Sequence, residues 1–179
     1  MSKKITLKQF TDKTAEVSPH GVIKLLLADH KLLRSLMKDV KSQKATQAQK
    51  IKSFKELEKT VYSHVHAEED SFFKLVKENP KFEHMVFEGY EEHRVHETVF
   101  AGIHKVTDKK RKVQQMEIYC EMLEHHLHEE EEDLFPRFIK YSARSTRRKM
   151  GKKFLEVRKK TNKTNKNRGA SRFSETKNA

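Results

Sequence analysis

The chain has 179 residues, enough for one domain with a single core, and carries a formal net charge of +13. Its single cysteine, Cys120, excludes an internal disulfide and any thiolate-built zinc or iron–sulfur site within one chain. No stretch approaches the roughly 20 apolar residues of a membrane span, and Met1-Ser-Lys-Lys leads into no signal-like apolar run, so a reducing cytoplasm is the expected compartment.

Residues 1–17 read as a polar lead-in with a weak helical pattern (Ile5, Leu7, Phe10). Ser18-Pro19 suits a helix start, serine as cap and proline in the first turn, and predicts a helix over about 19–41. Its apolar stripe holds Ile23, Leu26, Leu27, Leu33, Met37 and Val40, with His30 among them. After a polar linker at 42–46, a second helix over about 47–78 carries Phe54, Leu57, Val61, His64, Glu68, Phe72 and Leu75 at steps of three and four. Asn79-Pro80 ends it.

A third helix is expected over about 82–106. Its inward positions are Val86, Tyr90 or Gly89, His93, Glu97 or His96, Phe100 and Ile103. A charged turn at 107–112 precedes a fourth helix over about 113–135, with Met116, Tyr119, Leu123, His126, Glu130 and Leu134 on one face. Four amphipathic helices with short connections predict an all-α, up-down-up-down four-helix bundle over residues 18–141. Beyond it the chain turns basic: residues 137–179 hold sixteen Lys/Arg against two acids, so the first 136 residues are nearly neutral. Phe154, Leu155 and Val157 offer a narrow strip for a basic helix over about 145–160, and residues 161–179 are expected to be disordered. Residues 142–179 thus form a basic C-terminal extension, and the basic run 137–179 is suited to non-specific contact with nucleic acid or another anionic surface, or simply to solubility.

The chain has eleven histidines, and histidine is the commonest metal ligand. His64-Val-His-Ala-Glu68 and His126-Leu-His-Glu-Glu130 each set a His and a Glu four apart on one helical face, on a stripe otherwise made of Leu, Val and Phe. A carboxylate there costs several kcal/mol (about 3–5) unless paired or metal-bound. His30 and His93 lie on the inward faces of the other two helices. Four His and two Glu exceed what one tetrahedral zinc uses and suit first-row transition metals, two of them if Glu68 and Glu130 bridge. The pairs His84–Glu88, His125–Glu129 and His128–Glu132 step off the stripe and read as solvated surface, and Glu69, Glu129, Glu131 and Glu132 read as an acidic mouth or plain surface. Arg34, one turn after His30, either pairs with a carboxylate beyond the ligands or reaches solvent.

In the order Asp29-His30-Lys-Leu-Leu-Arg34, His64-x-x-x-Glu68-Glu69, Tyr90-Glu-Glu-His93, and His126-x-x-x-Glu130 with Leu134-Phe135-Pro136, the chain resembles the hemerythrin-like (HHE cation-binding) domains over about residues 19–136. The resemblance implies an oxo- or hydroxo-bridged di-iron centre meeting dioxygen, nitric oxide or peroxide, with His30, His64, Glu68, His93, His126 and Glu130 as ligands. Glu97 stands where oxygen-carrying members have a second histidine on the third helix, and is a candidate seventh ligand or outer group, with His96 as its competitor. Glu131 stands five after His126, where those members have aspartate. Sensing, iron handling and peroxide or nitric oxide chemistry therefore stand beside oxygen carriage.

Overall fold

A helix leaves its first N–H groups without intrahelical partners, and in two of the long helices a capping side chain accepts from one of them. The computed structural model describes residues 21–167, with side chains through residue 162. Helix α1 is Val22–Lys41, entered through Gly21 at φ 54°. A Cβ at Gly21 would lie 2.1 Å from the Arg147 carbonyl oxygen, so only glycine permits both the turn and this approach. Helix α2, Gln47–Glu68, opens on a capping box: Gln49 N–H donates to Thr46 Oγ1 and Thr46 N–H donates to Gln49 Oε1. It continues through a π-helical turn, Glu69–Phe73, into a last α turn, Lys74–Val76. Helix α3 is Glu83–Lys105. Helix α4, Lys109–Glu129, is capped by Asp108, whose Oδ1 accepts from Arg111 N–H at 2.7 Å. It runs through a second π turn, Glu130–Leu134, into Phe135–Tyr141. Helix α5 is Arg144–Asn167.

The described residues are helical with no strand, and five long helices pack together. Helix α1 packs on α2, α4 and α5, α2 on α4 and α5, and α3 on α4. Two apolar layers form. One gathers Val22, Leu26, Phe72, Phe73, Phe135 and Phe154. The other gathers Leu33, Phe54, Leu57, Phe100, Tyr119 and Leu123. The buried histidines and glutamates of α1 to α4 stand between them in sequence and in space. Among the described residues no helix is long and apolar enough to cross a membrane.

The structure departs from the helical periodicity at several points. The fourth helix starts at Lys109, not 113, because Asp108 rather than the basic run supplies the cap. It also runs past Pro136, which falls in the first turn after the π segment, where a missing N–H costs little. Leu27 is 43% exposed and Leu75 is 50% exposed, although the apolar stripes place both inward. On α1 the inward face is rotated toward α5 and takes in Val22, Leu25 and Asp29. On the second helix the extra residue of the π turn shifts the register, so Phe73 and Val76 turn inward in place of Leu75. The basic helix extends further at both ends than 145–160 and takes in residues 161–167, where disorder is expected from composition. It is docked, not appended: Arg147, Met150, Phe154 and Arg158 are buried. Ser18-Pro19, the lead-in at 1–17, His20 and residues 168–179 lie outside the described residues.

Candidate metal centre

Four imidazoles, one from each of α1 to α4, meet between the two apolar layers. His30, His64, His93 and His126 are each no more than 2% exposed. Each donates its Nδ1 proton to a carboxylate: His30 to Glu131 at 2.7 Å, His64 to Asp29 at 3.2 Å, His93 to Glu69 at 2.8 Å and His126 to Glu92 at 2.7 Å. An ionised carboxylate only accepts, so these bonds favour the proton on Nδ1 and turn every Nε2 inward, where those of His93 and His126 lie 3.3 Å apart and share a hydrogen bond in the metal-free protein. That is the second-sphere arrangement that orients a histidine for metal ligation.

The inward nitrogens surround two buried glutamates. Glu130 sets Oε2 3.2 Å from His30 Nε2 and Oε1 3.9 Å from His126 Nε2. Glu68 Oε2 lies 3.6 Å from both His64 Nε2 and His93 Nε2. One potential ligand atom from each of Glu68, His93, His126 and Glu130 falls within a 4.8 Å cluster, and His30, His64 and Glu130 form a second such cluster. Glu130 belongs to both, and Glu68 stands between His64 and His93, so each carboxylate can reach two positions.

The layout is a pseudo-two-fold. Asp29-His30 on α1 corresponds to Glu92-His93 on α3, and His64-x-x-x-Glu68-Glu69 on α2 to His126-x-x-x-Glu130-Glu131 on α4. Each π turn begins at or just after the inner glutamate. Widening the helix there brings two consecutive acids to the centre, the first inward and the second to a histidine Nδ1 of another helix. π turns commonly mark functional sites for this reason.

Electrostatics follow from burial and pairing. Burial and the charge of Glu130 push the Glu68 carboxyl well above its ordinary range. Burial opposes ionisation of Glu130 too, but His126 and His30 outweigh it and hold that carboxyl far below the ordinary range. Burial and the neighbouring His30 bring His64 down to about 3, and burial depresses His93 well below its usual value. Burial alone would lower His30 and His126, yet their glutamates raise both. The hydrogen bond from His30, opposed by burial and reinforced by Arg34, brings Glu131 to about 2. Burial, with Glu97 and Asp70 nearby, lifts Glu69 to about 7.

The residues present fit a metal pair. Both oxygens of Glu68, both of Glu130, and the Nε2 atoms of His30 and His64 are buried without a well-directed hydrogen bond, the 3.2 Å contact between His30 Nε2 and Glu130 Oε2 being the shortest ion pair among them. An unmet buried polar group costs about 1–3 kcal/mol, so this many together would be a heavy burden for a bundle without a cation to share.

The structure brings six of the seven sequence candidates together. The seventh, Glu97, is exposed on α3, and His96 takes the buried place beside the centre, its ring 5.2 Å from that of His126 and both its nitrogens unpartnered. Three steps of about 100° separate His93 from His96 and four from Glu97, and the slight turn of α3 decides for the shorter step. Arg34 takes the paired option, donating to Glu131 at 2.6 Å and Glu124 at 2.8 Å. Sequence reasoning misses Asp29 and Glu92 as histidine anchors, and places Glu69 and Glu131 at an acidic mouth. The available signal was adjacency, since each anchor directly precedes or follows an inward residue. His84, His125 and His128 are exposed as expected, and His104 pairs with Glu58 at 2.6 Å. Glu92, His125 and Glu129 also approach one another at the surface. Cys120 is buried, and burial pushes its thiol up to about 12, which makes it core packing and not a reactive nucleophile. A groove of about 530 Å3 between α3 and α4, lined by Phe87, Val95, Met122 and His125, reaches His96 and His126 from solvent.

The family model described as the hemerythrin HHE cation binding domain matches residues 21–138. No curated protein and no solved structure gives a match.

Proposed function

The chain belongs to the hemerythrin HHE cation-binding domain family, and from that premise we propose that it is a non-haem di-iron protein that binds or senses dioxygen, nitric oxide or peroxide, or handles iron. The observation that carries the reading is the set of four Nδ1-anchored imidazoles aimed at two buried carboxylates without a well-directed hydrogen bond. His30 and His64 would hold one ion and His93 and His126 the other, with Glu68 and Glu130 shared between them. When bound, such a pair supplies Lewis-acid sites and one-electron chemistry toward small oxygen- or nitrogen-containing ligands.

The chain's own residues do the rest. Asp29, Glu69, Glu92 and Glu131 keep each imidazole in the ligating tautomer. Val61, Phe100 and Leu123 are buried beside the centre and keep bulk water out; Leu27, which the stripe of α1 would add to them, is exposed instead. The groove ending at His96 and His126 is wide enough for a small diatomic molecule. His96, not Glu97, is the group at hand for a further ligand. A cytoplasmic setting would keep the iron supply ferrous and suits a free buried thiol. Protein loaded anaerobically with ferrous iron should hold close to two metals per chain and develop a visible absorption on exposure to air. A metal content near zero would remove the reading.

A second reading concerns α5. It docks through its inner stripe while Arg144, Arg148, Lys149, Lys152, Lys153 and Lys159 face solvent, a surface suited to a polyanion such as nucleic acid. Because α5 contributes Met150 and Phe154 to the core, charge-neutralising substitutions test this better than truncation. A gel shift of DNA that survives Lys149, Lys152, Lys153 and Lys159→Gln would exclude that face.

A further inference from the structure

The anchor of His64 is itself held from outside the matched domain. Asp29 is 5% exposed and accepts from His64 Nδ1 through Oδ2. The same oxygen is in direct ion-pair contact with the Arg158 guanidinium, which is also 5% exposed. Arg158 lies on α5, twenty residues beyond the end of the family match. It is stacked over Phe154, with its guanidinium carbon 4.3 Å from the ring centroid, and Phe154 is wholly buried. Ser63, next to His64, donates to Asn162 of the same helix at 3.0 Å.

The pseudo-two-fold isolates what is special here. Its mate of Asp29 is Glu92, which anchors His126 in the same way. Among the described residues Glu92 has no arginine; its neighbours are His125 and Glu129. The arginine therefore does not come with the repeated His–carboxylate pattern. The fifth helix supplies it to one half only.

We propose that Arg158 is a positioning residue of the metal centre: by holding Asp29 it fixes the His64 imidazole with its proton on Nδ1 and Nε2 turned to Glu68. The proposal rests on the di-metal reading above. A buried carboxylate needs a counter-charge and a fixed direction, and the guanidinium provides both. Without it, Asp29 loses the geometry that aims Oδ2 at the ring, and the ring loses the acceptor that fixes its tautomer and rotation. The consequence is local to the His30/His64 position. Helix α5 is then a working part of the centre, and its docking is coupled to the loading of that position.

The test compares full-length wild type, Arg158→Gln and Asp29→Asn/Arg158→Gln. Two readouts are used: nitrogen-15 NMR of the His64 ring in metal-free protein, and anaerobic titration with ferrous iron. Arg158→Gln should lose the fixed Nδ1–H signature of His64 and bind one of its two irons about 10–100-fold more weakly. In the double variant the amide carbonyl introduced at position 29 still accepts, but no charge needs compensating, so the signature and most of the affinity should return. An unchanged His64 ring and two unchanged irons in Arg158→Gln would overturn the proposal while leaving the di-metal reading intact. Equal weakening of both irons with an unchanged ring would also overturn it, since that is what loosened packing does. If wild type binds no iron, the di-metal reading fails, and the His64 signature in metal-free protein still decides whether Arg158 holds the ring. Should Arg158→Gln not fold, the double variant decides: a retained Nδ1–H tautomer with two irons supports the route through position 29, and a lost tautomer refutes it.

Discussion

Replacing Glu68 by leucine should make the metal-free protein more stable and the metal-loaded protein impossible to form in its two-ion state. Glu68 is fully buried, both its oxygens lack partners, and its nearest nitrogens stand at 3.6 Å, beyond hydrogen-bond reach. Burial and Glu130 favour the neutral form of Glu68, so its removal leaves no opposite charge unpaired and relieves the cost of an unmet buried polar group, about 1–3 kcal/mol. Taking about 2 kcal/mol, and about 2–4 °C per kcal/mol for a chain of this length, the Tm in chelator should rise by about 4–8 °C. The wild type gains on loading by mass action, about 4.1 kcal/mol when free metal exceeds its Kd a thousandfold. The two proteins should therefore change order, Glu68→Leu melting higher in chelator and wild type melting higher in anaerobic ferrous iron. Thermal melts followed by circular dichroism, with metal content measured on the same samples, check this. A Glu68→Leu protein less stable than wild type in chelator would refute the reasoning, because it would show that the carboxyl is well satisfied without an ion.

Other outcomes follow from the same geometry. In metal-free protein, burial keeps His64, His93 and His96 neutral, which favours the folded state as pH rises toward about 6.5. Above about 6.5 the unfolded histidines lose their protons too, so the raised His30, His126 and Glu68 decide, and there the folded state holds more protons than the unfolded one. Metal-free stability should thus fall as pH rises from about 6.5, the unperturbed histidine value, while iron binding should release protons and tighten; a Tm independent of pH together with no proton release on loading would contradict this. Gly89→Ala places a Cβ 2.7 Å from the Phe73 ring, which stacks on His93 at 5.3 Å between centroids, so it should cost about 1–3 kcal/mol and weaken metal at the His93/His126 position, read by melts and iron titration. Glu97→Ala should leave metal content unchanged, because that side chain is exposed; loss of one iron per chain would return Glu97 to the ligand set.

The buried ionisable layer explains a trade that runs through the molecule. Phe54, Phe100 and Tyr119 on one side, and Phe72, Phe73 and Phe135 on the other, enclose it with T-shaped and tilted ring contacts. Such dense aromatic packing supplies stability beyond area burial alone. It offsets the cost of keeping four histidines and two glutamates out of water in the metal-free state.

The helices and the six inner ligand candidates were legible in the sequence because both rest on a local property. A 3.6-residue period sorts residues onto faces, and His64, Glu68, His126 and Glu130 interrupt apolar stripes whatever the helices pack against. Whether Glu97 or His96 enters was not legible, since a few degrees of rotation of α3 decide it and only its neighbours set that rotation. Leu75 and Phe73 exchange roles because a π turn adds one residue to the register, and no period reveals an inserted residue before its acids find partners on another helix. The anchors Asp29, Glu69, Glu92 and Glu131 carry charges that a one-helix view assigns to solvent; only a second helix gives each a histidine. Helix α5 is the largest case. Its narrow strip of Phe154, Leu155 and Val157 predicts weak amphipathicity, and its burial depends on the cleft that α1 and α2 present, into which Arg158 brings a charge that Asp29 and the Phe154 ring make tolerable.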